Sequence, residues 1–219
     1  MNSRSVLHEE LERLRHQILV MASCVEEDLG KALTALKNDD QALAKDVRAN
    51  DEKINAMQYK IEDETSVLIA TQQPVAGDLR ELISIIKISG DLERIGDYTV
   101  HLAKTALKLS GNPPFRSLEH IEKMAETGQK MLGSAISAFL ARDADAARRT
   151  ASMDSIMDEE HRQLTEEILG LIKEHSGFVK KAVRLLNTSG HLERLGDHIT
   201  NICENIIYMI YAKHEELND

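Results

Sequence analysis

The sequence contains no tryptophan and only three prolines and two cysteines among its 219 residues. Aromatic side chains make up 3% of it, so a core has to be assembled from Leu, Ile, Val, Met and Ala, the residues of packed helices. Cys24 and Cys203 stand far apart within helical patterns and form no CxxC pair. That argues against a disulfide framework or a zinc knuckle and for reduced thiols in a cytosol. No long hydrophobic run is present: the longest, Ile206 to Ala212, falls far short of the roughly 20 residues that span a bilayer. Membrane contact is therefore expected only through a partner. The opening stretch MNSRSVLHEELERL lacks the apolar segment of an export signal, which points to a cytoplasmic location. A basic face is missing as well. The net charge of -10 argues against nucleic-acid binding and favours cationic partners, metal ions included. No nucleophile is paired with a base and no glycine loop is built to cradle phosphate, so no catalytic residue is assigned and no enzyme is expected.

What is present is helix. Six long segments, 5–37, 41–71, 79–109, 117–140, 144–174 and 178–214, are separated by breaks that contain all three prolines. Apolar residues recur at intervals of three and four, as in Leu7, Leu11, Leu14 and Ile18, or Leu79, Leu82 and Ile86, each series marking a buried stripe. Asp78 followed by Glu81 reads as an acidic capping box opening the third helix. Short connections favour antiparallel neighbours, so helices one to three and four to six are each expected to form an up-down-up bundle.

The segment from Ser89 to Asp97 recurs from Ser189 to Asp197 with seven identities in nine positions, at a shift of 100 residues. Upstream the best shift is 103, which aligns Asp40 with Asp143 and Asp51 with Asp154. The chain thus reads as a tandem duplication of a three-helix unit, an all-α fold with one bundle in residues 1–110 and the other in 115–219.

Within the repeat, Glu93 and Asp97 are four residues apart, as are Glu193 and Asp197, which puts each pair on one helix face. Asp51 and Asn55, and Asp154 and Asp158, have the same spacing one helix earlier. In an antiparallel hairpin the midpoint between these pairs falls in the connecting turn of each half, so the oxygen pairs should lie side by side, about twenty residues or roughly 30 Å from the turn. Like charges so placed repel by about 0.2 to 0.5 kcal/mol on an exposed helix, and more when buried. A cation relieves that. Hard oxygen donors suit iron, manganese, magnesium or calcium better than a structural zinc, although zinc stays within the range of divalent or trivalent ions.

The plainer alternatives are a copied, solvated surface, or Arg94 and Arg194 holding the carboxylates by ion pairing. Gly96 and Gly196, each unfavourable in mid-helix by roughly 1 kcal/mol, favour a close helix approach or an open ligand-binding surface. His161, three residues after Asp158, is a partial echo of a ferritin-like diiron motif that lacks its symmetric partner. His101, four residues beyond Asp97, could extend the first group, but it has Asn201 as its duplicate and is expected instead to be exposed or capping. Two other functions compete with a regulatory one: a ferritin-like metal oxidase or store, and a purely structural helical scaffold.

On Leu92-Glu93-Arg94-Ile95-Gly96-Asp97, Leu192-Glu193-Arg194-Leu195-Gly196-Asp197 and Gln73-Pro74-Val75-Ala76-Gly77-Asp78-Leu79-Arg80, the chain resembles the PhoU family, regulators of phosphate uptake, over its whole length. The resemblance implies two tandem three-helix bundles and multinuclear metal clusters on E(D)xxxD motifs. It also implies homodimerisation and contacts with the ATPase of a phosphate ABC transporter and with a phosphate-sensing histidine kinase. Glu93, Asp97, Asp154, Asp158, Glu193 and Asp197 match the motif, as does Asp51, whereas Asn55 stands where a carboxylate is expected.

Overall fold

The computed structural model describes residues 3–109, 117–174 and 179–218. The described residues form helices α1 (Ser3–Asn38), α2 (Gln41–Gln72), α3 (Ala76–Leu109), α4 (Ser117–Ala141), α5 (Ala144–Ala151), α6 (Asp154–Glu174) and α7 (Val179–Tyr211). α5 and α6 are one rod interrupted by a turn at Ser152–Met153, so the six expected rods are present with the fifth broken. The breaks expected at Ser110–Pro114 and His175–Gly177 lie outside the described residues.

Local chemistry accounts for several ends. The Asp40 carboxylate accepts from the N–H groups of Ala42 and Leu43, both at 3.0 Å, and opens α2. Asp143 does the same for α5 through Ala146 at 2.8 Å, the usual side-chain answer to orphan helix donors. Gln73 ends α2 in the left-handed region at φ 49.

Three expectations at helix ends and stripes need correction. α3 starts at Ala76, so Asp78 lies in its first turn instead of capping it. Glu81 does not reach back to the helix start: only 2% exposed, it turns inward to two arginines. The stripe on α3 is set by Leu82, Ile85, Leu92 and Ile95, all fully buried, while Leu79 and Ile86 are half-buried at its margin. Finally, α7 stops at Tyr211, where Ala212 takes φ 56.

α1, α2 and α3 pack pairwise, and so do α4, the α5–α6 rod and α7. The two units meet mainly along α3 and α7, the most extensive helix pair in the molecule, and secondarily along α1 and α4. One continuous apolar core runs through both, from Leu14, Ile18 and Met21 on α1 to Ile199, Ile202 and Ile206 on α7.

α3 and α7 run antiparallel. Ser84 Oγ donates to the Asn205 carbonyl at 3.2 Å, His198 Nδ1 meets Asp91 Oδ1 at 2.9 Å, the Tyr98 and His191 rings stack at 5.7 Å, and the Thr105 and Thr188 hydroxyls share a 2.8 Å bond. In the numbering of the repeat, position 91 of each copy meets position 98 of the other. The two units are therefore related by an approximate two-fold axis through this contact.

A polar clamp joins three elements elsewhere. The buried Glu81 carboxylate of α3 accepts from Arg15 of α1 and from Arg142, in the turn before α5, at 2.6 Å. Removing the carboxylate leaves two guanidiniums facing each other. Breaking a buried ion pair costs about 3–5 kcal/mol, and the partial exposure of Arg142 brings the expected loss for Glu81→Ala to about 2 kcal/mol. In a chain of this size that lowers the melting temperature by roughly 4 to 8 °C, and a melting temperature unchanged within a degree or so would show that the clamp contributes nothing.

Candidate metal centre

Four helices carry the oxygen side chains: α2 with Asp51 and Asn55, α3 with Glu93 and Asp97, α6 with Asp154 and Asp158, and α7 with Glu193 and Asp197. The packing of α2 on α3 and of α6 on α7 gathers the carboxylates among them into two groups. Asp51 is close enough to feel the charge of Asp97, and Glu93 feels both Asp97 and Asp51. In the second copy Asp154 feels Asp158, Asp197 and Glu193 together.

Residues 91–100 and 191–200 share the same alternation of buried, half-buried and exposed positions. The carboxylates stand half-buried at equivalent places, with the arginines of both motifs outside.

Protonation follows from this crowding. Burial first, and the neighbouring Asp97 second, hold the carboxyls of Asp51 and Glu93 above the usual range. Burial and Asp197 do so for Glu193, and burial and Asp158 for Asp197. The largest effect falls on Asp154, pushed up to about 7 by burial and then by Asp158, Asp197 and Glu193. Desolvation and like charge act in the same direction at each of these groups.

The copies differ in how the second rod approaches. In the first, α2 runs unbroken past Asp51, and Ile54 packs on Gly96, whose missing Cβ would meet Ile54 methyls at 3.4 Å. In the second, the turn at Ser152–Met153 makes Asp154 the first residue of α6 and lays its carboxylate on Gly196. A Cβ there would stand 2.1 Å from Asp154 Oδ1, so only glycine admits the carboxylate at this point.

Asp154 is 9% exposed, and its Oδ1, like Asn55 Oδ1 in the first copy, is buried with no hydrogen-bond partner. Unpartnered buried oxygens are rare and unfavourable, and in an all-oxygen donor set they fit a hard cation. Among the described residues no group of three or more His, Cys, Asp or Glu side chains stands in an arrangement that could hold a metal ion as it is. The two groups are gathered but open.

The alternatives raised by the sequence have definite places. Arg94 pairs with Asp97 at 3.2 Å and approaches Glu93 at 3.6 Å from the solvent side, so ion pairing covers part of the first group. No ion pair links Arg194 to Glu193 or Asp197, although its charge is felt there. His161 Nδ1 is engaged with Ser189 Oγ at 2.9 Å. His101 is neither exposed nor capping: it stacks on His191 at 4.2 Å within the α3–α7 contact.

Sequence reasoning missed the residues between the two groups, namely Asp91, Tyr98, His191 and His198. The available signal was that Asp91 becomes His191 and Tyr98 becomes His198 in the duplicate, paired changes at positions that touch each other. Beside them a groove of 530 Å³ opens between α3 and α7, lined by Glu93, Asp91, His198 and Glu204. A further missed residue, Asn218, donates to Asp197 Oδ1 at 3.3 Å.

The PhoU domain model matches this chain twice, over residues 18–106 and 121–206. A phosphate-specific transport system accessory protein PhoU homolog of Clostridium acetobutylicum is 33% identical over 218 residues, covering 99% of this chain and all of that protein. A homolog of the same description from Pseudomonas aeruginosa is 36% identical over 203 residues, 92% of this chain and 84% of that one. Among solved structures, the phosphate transport system regulatory protein PhoU from Streptococcus pneumoniae superimposes with a TM-score of 0.90 at 33% identity, covering 96% of this chain and 99% of that one. PhoU from Pseudomonas aeruginosa gives 0.90 at 35% identity, covering 94% and 99%.

The raised Asp154 carboxyl has a definite pH signature. Its folded value of about 7 lies above the unfolded 3.8, so the folded state holds the extra proton between these values and loses stability as pH rises from about 4 to 7. Above that range the penalty is complete. In cation-free protein, Asp154→Asn is therefore expected to melt higher than the wild type at pH 8 and to keep only about a third of that gain at pH 5. After discounting for partial exposure the gain is on the order of 1 kcal/mol, about 2 to 4 °C. Melting scans of both proteins in chelator at the two pH values check this, and a gap independent of pH would contradict it.

Proposed function

This chain belongs to the PhoU family, and on that basis we propose that it is a metal-binding regulatory adaptor of a phosphate-specific transport system. It damps phosphate uptake and phosphate-starvation signalling by docking on the transporter's ATPase and on the sensor kinase. The observation that carries the metal-binding part is the buried, unpartnered Asp154 oxygen among three further carboxylates, in a chain whose other half repeats the arrangement. Full-length similarity to transport accessory proteins supports the regulatory part.

Among the described residues no helix is long and apolar enough to cross a membrane. In this reading the protein is cytoplasmic, reaches the membrane through its partners and acts as a homodimer.

The residues divide the work. Asp51, Asn55, Glu93 and Asp97 hold one site between α2 and α3. Asp154, Asp158, Glu193 and Asp197 hold the other between α6 and α7. A bound hard cation supplies charge neutralisation there and a cross-link between neighbouring helices. Asn55 carries no charge, which makes the first site the weaker of the two. The apolar stripes beneath keep the helices in register whether or not the charge is satisfied, so the protein presents a rigid acidic face whose net charge depends on loading. His161 has no histidine counterpart in the first copy, where Gln58 stands at its repeat position, so the ferritin-like alternative lacks its symmetric histidine pair, and ferrous iron with oxygen is expected to show no catalysed turnover.

Two measurements test the proposal. At a hundredfold excess of a divalent cation over its dissociation constant the folded state gains about 2.7 kcal/mol for each occupied site, roughly 5 to 10 °C in melting temperature per site. The combined Glu93→Ala, Asp97→Ala, Glu193→Ala and Asp197→Ala protein is expected to lose that gain. In cells, the same variant at normal abundance should leave a phosphate-starvation reporter switched on in phosphate-rich medium, and full repression by it would rule out a regulatory role for the carboxylate groups.

A further inference from the structure

After Tyr211 the chain reverses at Ala212 and runs back along α7. The ring of His214 stacks on Tyr208 with centroids 4.3 Å apart, the Leu217 N–H donates to Glu204 Oε1 at 2.8 Å, and Asn218 Nδ2 reaches Asp197 Oδ1 at 3.3 Å. As the segment advances, its partners move down α7, so it is laid antiparallel on the helix. α5 holds it from the other side, where Arg148 donates from Nε and from a terminal nitrogen to the Glu215 carboxylate at 2.9 and 2.8 Å. Leu217 packs against the apolar core. This is a docked strap, and its last contact is with a carboxylate of the second oxygen group.

Asn218 presents its amide unevenly. The NH₂ is used on Asp197, while Oδ1 is buried and has no hydrogen-bond partner. The same condition holds for Oδ1 of Asp154, only 9% exposed, in the same group. Leaving a buried acceptor unpaired costs about 1–3 kcal/mol; one such oxygen belongs to a residue bonded to Asp197 and the other to a residue that feels the charge of Asp197, so both border a carboxylate where a donor or a cation belongs. An amide exchanges oxygen for nitrogen by a half-turn of its terminal torsion. Against a bare Asp197 carboxylate the NH₂ is the better face. Against a carboxylate already neutralised by a cation the oxygen is.

We infer that residues 212–218 form a strap over the second carboxylate group, and that Asn218 supplies a fifth oxygen donor, beside Asp154, Asp158, Glu193 and Asp197, to a hard divalent cation bound there. This rests on the metal-binding reading above and adds a ligand to it. Hard divalent ions such as calcium take six to eight oxygens and manganese accepts the same donor type, so a neutral amide oxygen adds coordination without adding repulsion. In the first group the corresponding carboxylate, Asp97, is met by the exposed Arg94. The two sites therefore differ in closure: the second is covered by the chain's own strap.

The test uses the full chain with Glu93→Ala and Asp97→Ala, which leaves the second group to be loaded alone. Mn²⁺ binding is followed by calorimetry and by the loss of the free-ion paramagnetic resonance signal. Adding Asn218→Ala is expected to weaken Mn²⁺ by about tenfold, Asn218→Asp to restore it, and Glu215→Ala, which frees the strap from Arg148, to weaken it in the same direction. Hydrogen exchange gives a second readout: Mn²⁺ should slow exchange over residues 213–218 in the parent and not in Asn218→Ala. Equal Mn²⁺ affinity with and without Asn218→Ala overturns the strap ligand while leaving the metal site standing. If the unsubstituted protein binds no Mn²⁺ at all, the metal-binding reading falls and the strap ligand falls with it.

Discussion

The antiparallel contact of α3 with α7 is the constraint from which the rest of the molecule follows. Both helices carry a copy of the same nine-residue segment, and both turn its apolar side to the shared core, with Leu92 and Ile95 in one and Leu192 and Leu195 in the other fully buried. Once that face is committed, the 3.6-residue period leaves Glu93, Asp97, Glu193 and Asp197 little choice of direction. They stand at the margin of the contact, each pair facing the second rod of its own unit. The packing that stabilises the fold is thus the same packing that crowds the carboxylates.

Crowding of this kind persists only because a larger favourable energy opposes it. Burial and mutual repulsion raise the carboxyls of both groups, yet the helices that bear them are locked by side chains such as Ile54 and Met157 packed against Gly96 and Gly196. A surface loop carrying the same charges would relax by moving apart. Here relaxation would require opening the core, so the electrostatic tension is retained for a ligand to relieve. The first copy partly relieves it with Arg94 and with Asn55 in place of a carboxylate. The second keeps the tension nearly whole and adds a turn before Asp154 that drives one more carboxylate inward.

Much of this was legible beforehand. The scarcity of aromatic side chains, the three-and-four spacing and the Ser89 to Asp97 duplication led to an all-helical duplicated fold, and the positions of the oxygen residues relative to the turns led to the expectation that they lie side by side between neighbouring rods. What was hidden depended on tertiary context. Glu81 had the spacing of a capping partner, but two arginines distant in sequence claimed it. The fifth rod looked continuous because Ser152 and Met153 are compatible with helix, and only the capping bonds around them and the approach to Gly196 reveal the turn. Asn218 carried no pattern at all. His101 looked peripheral because its duplicate is Asn201, whereas the deciding fact was its neighbour His191 in the other unit.

The pairing of position 91 with position 98, made once as Asp91 with His198 and once as His191 with Tyr98, has a consequence for how the two halves hold together. A surface that meets its own copy across a two-fold axis is self-complementary, and between separate molecules its strength would rise and fall with concentration. Here both copies lie on one chain, so their encounter is unimolecular and dilution cannot separate them. Each copy is then free to change its side of the contact, as the exchange of a carboxylate–imidazole bond for a pair of stacked rings records, without the change being imposed at both ends at once.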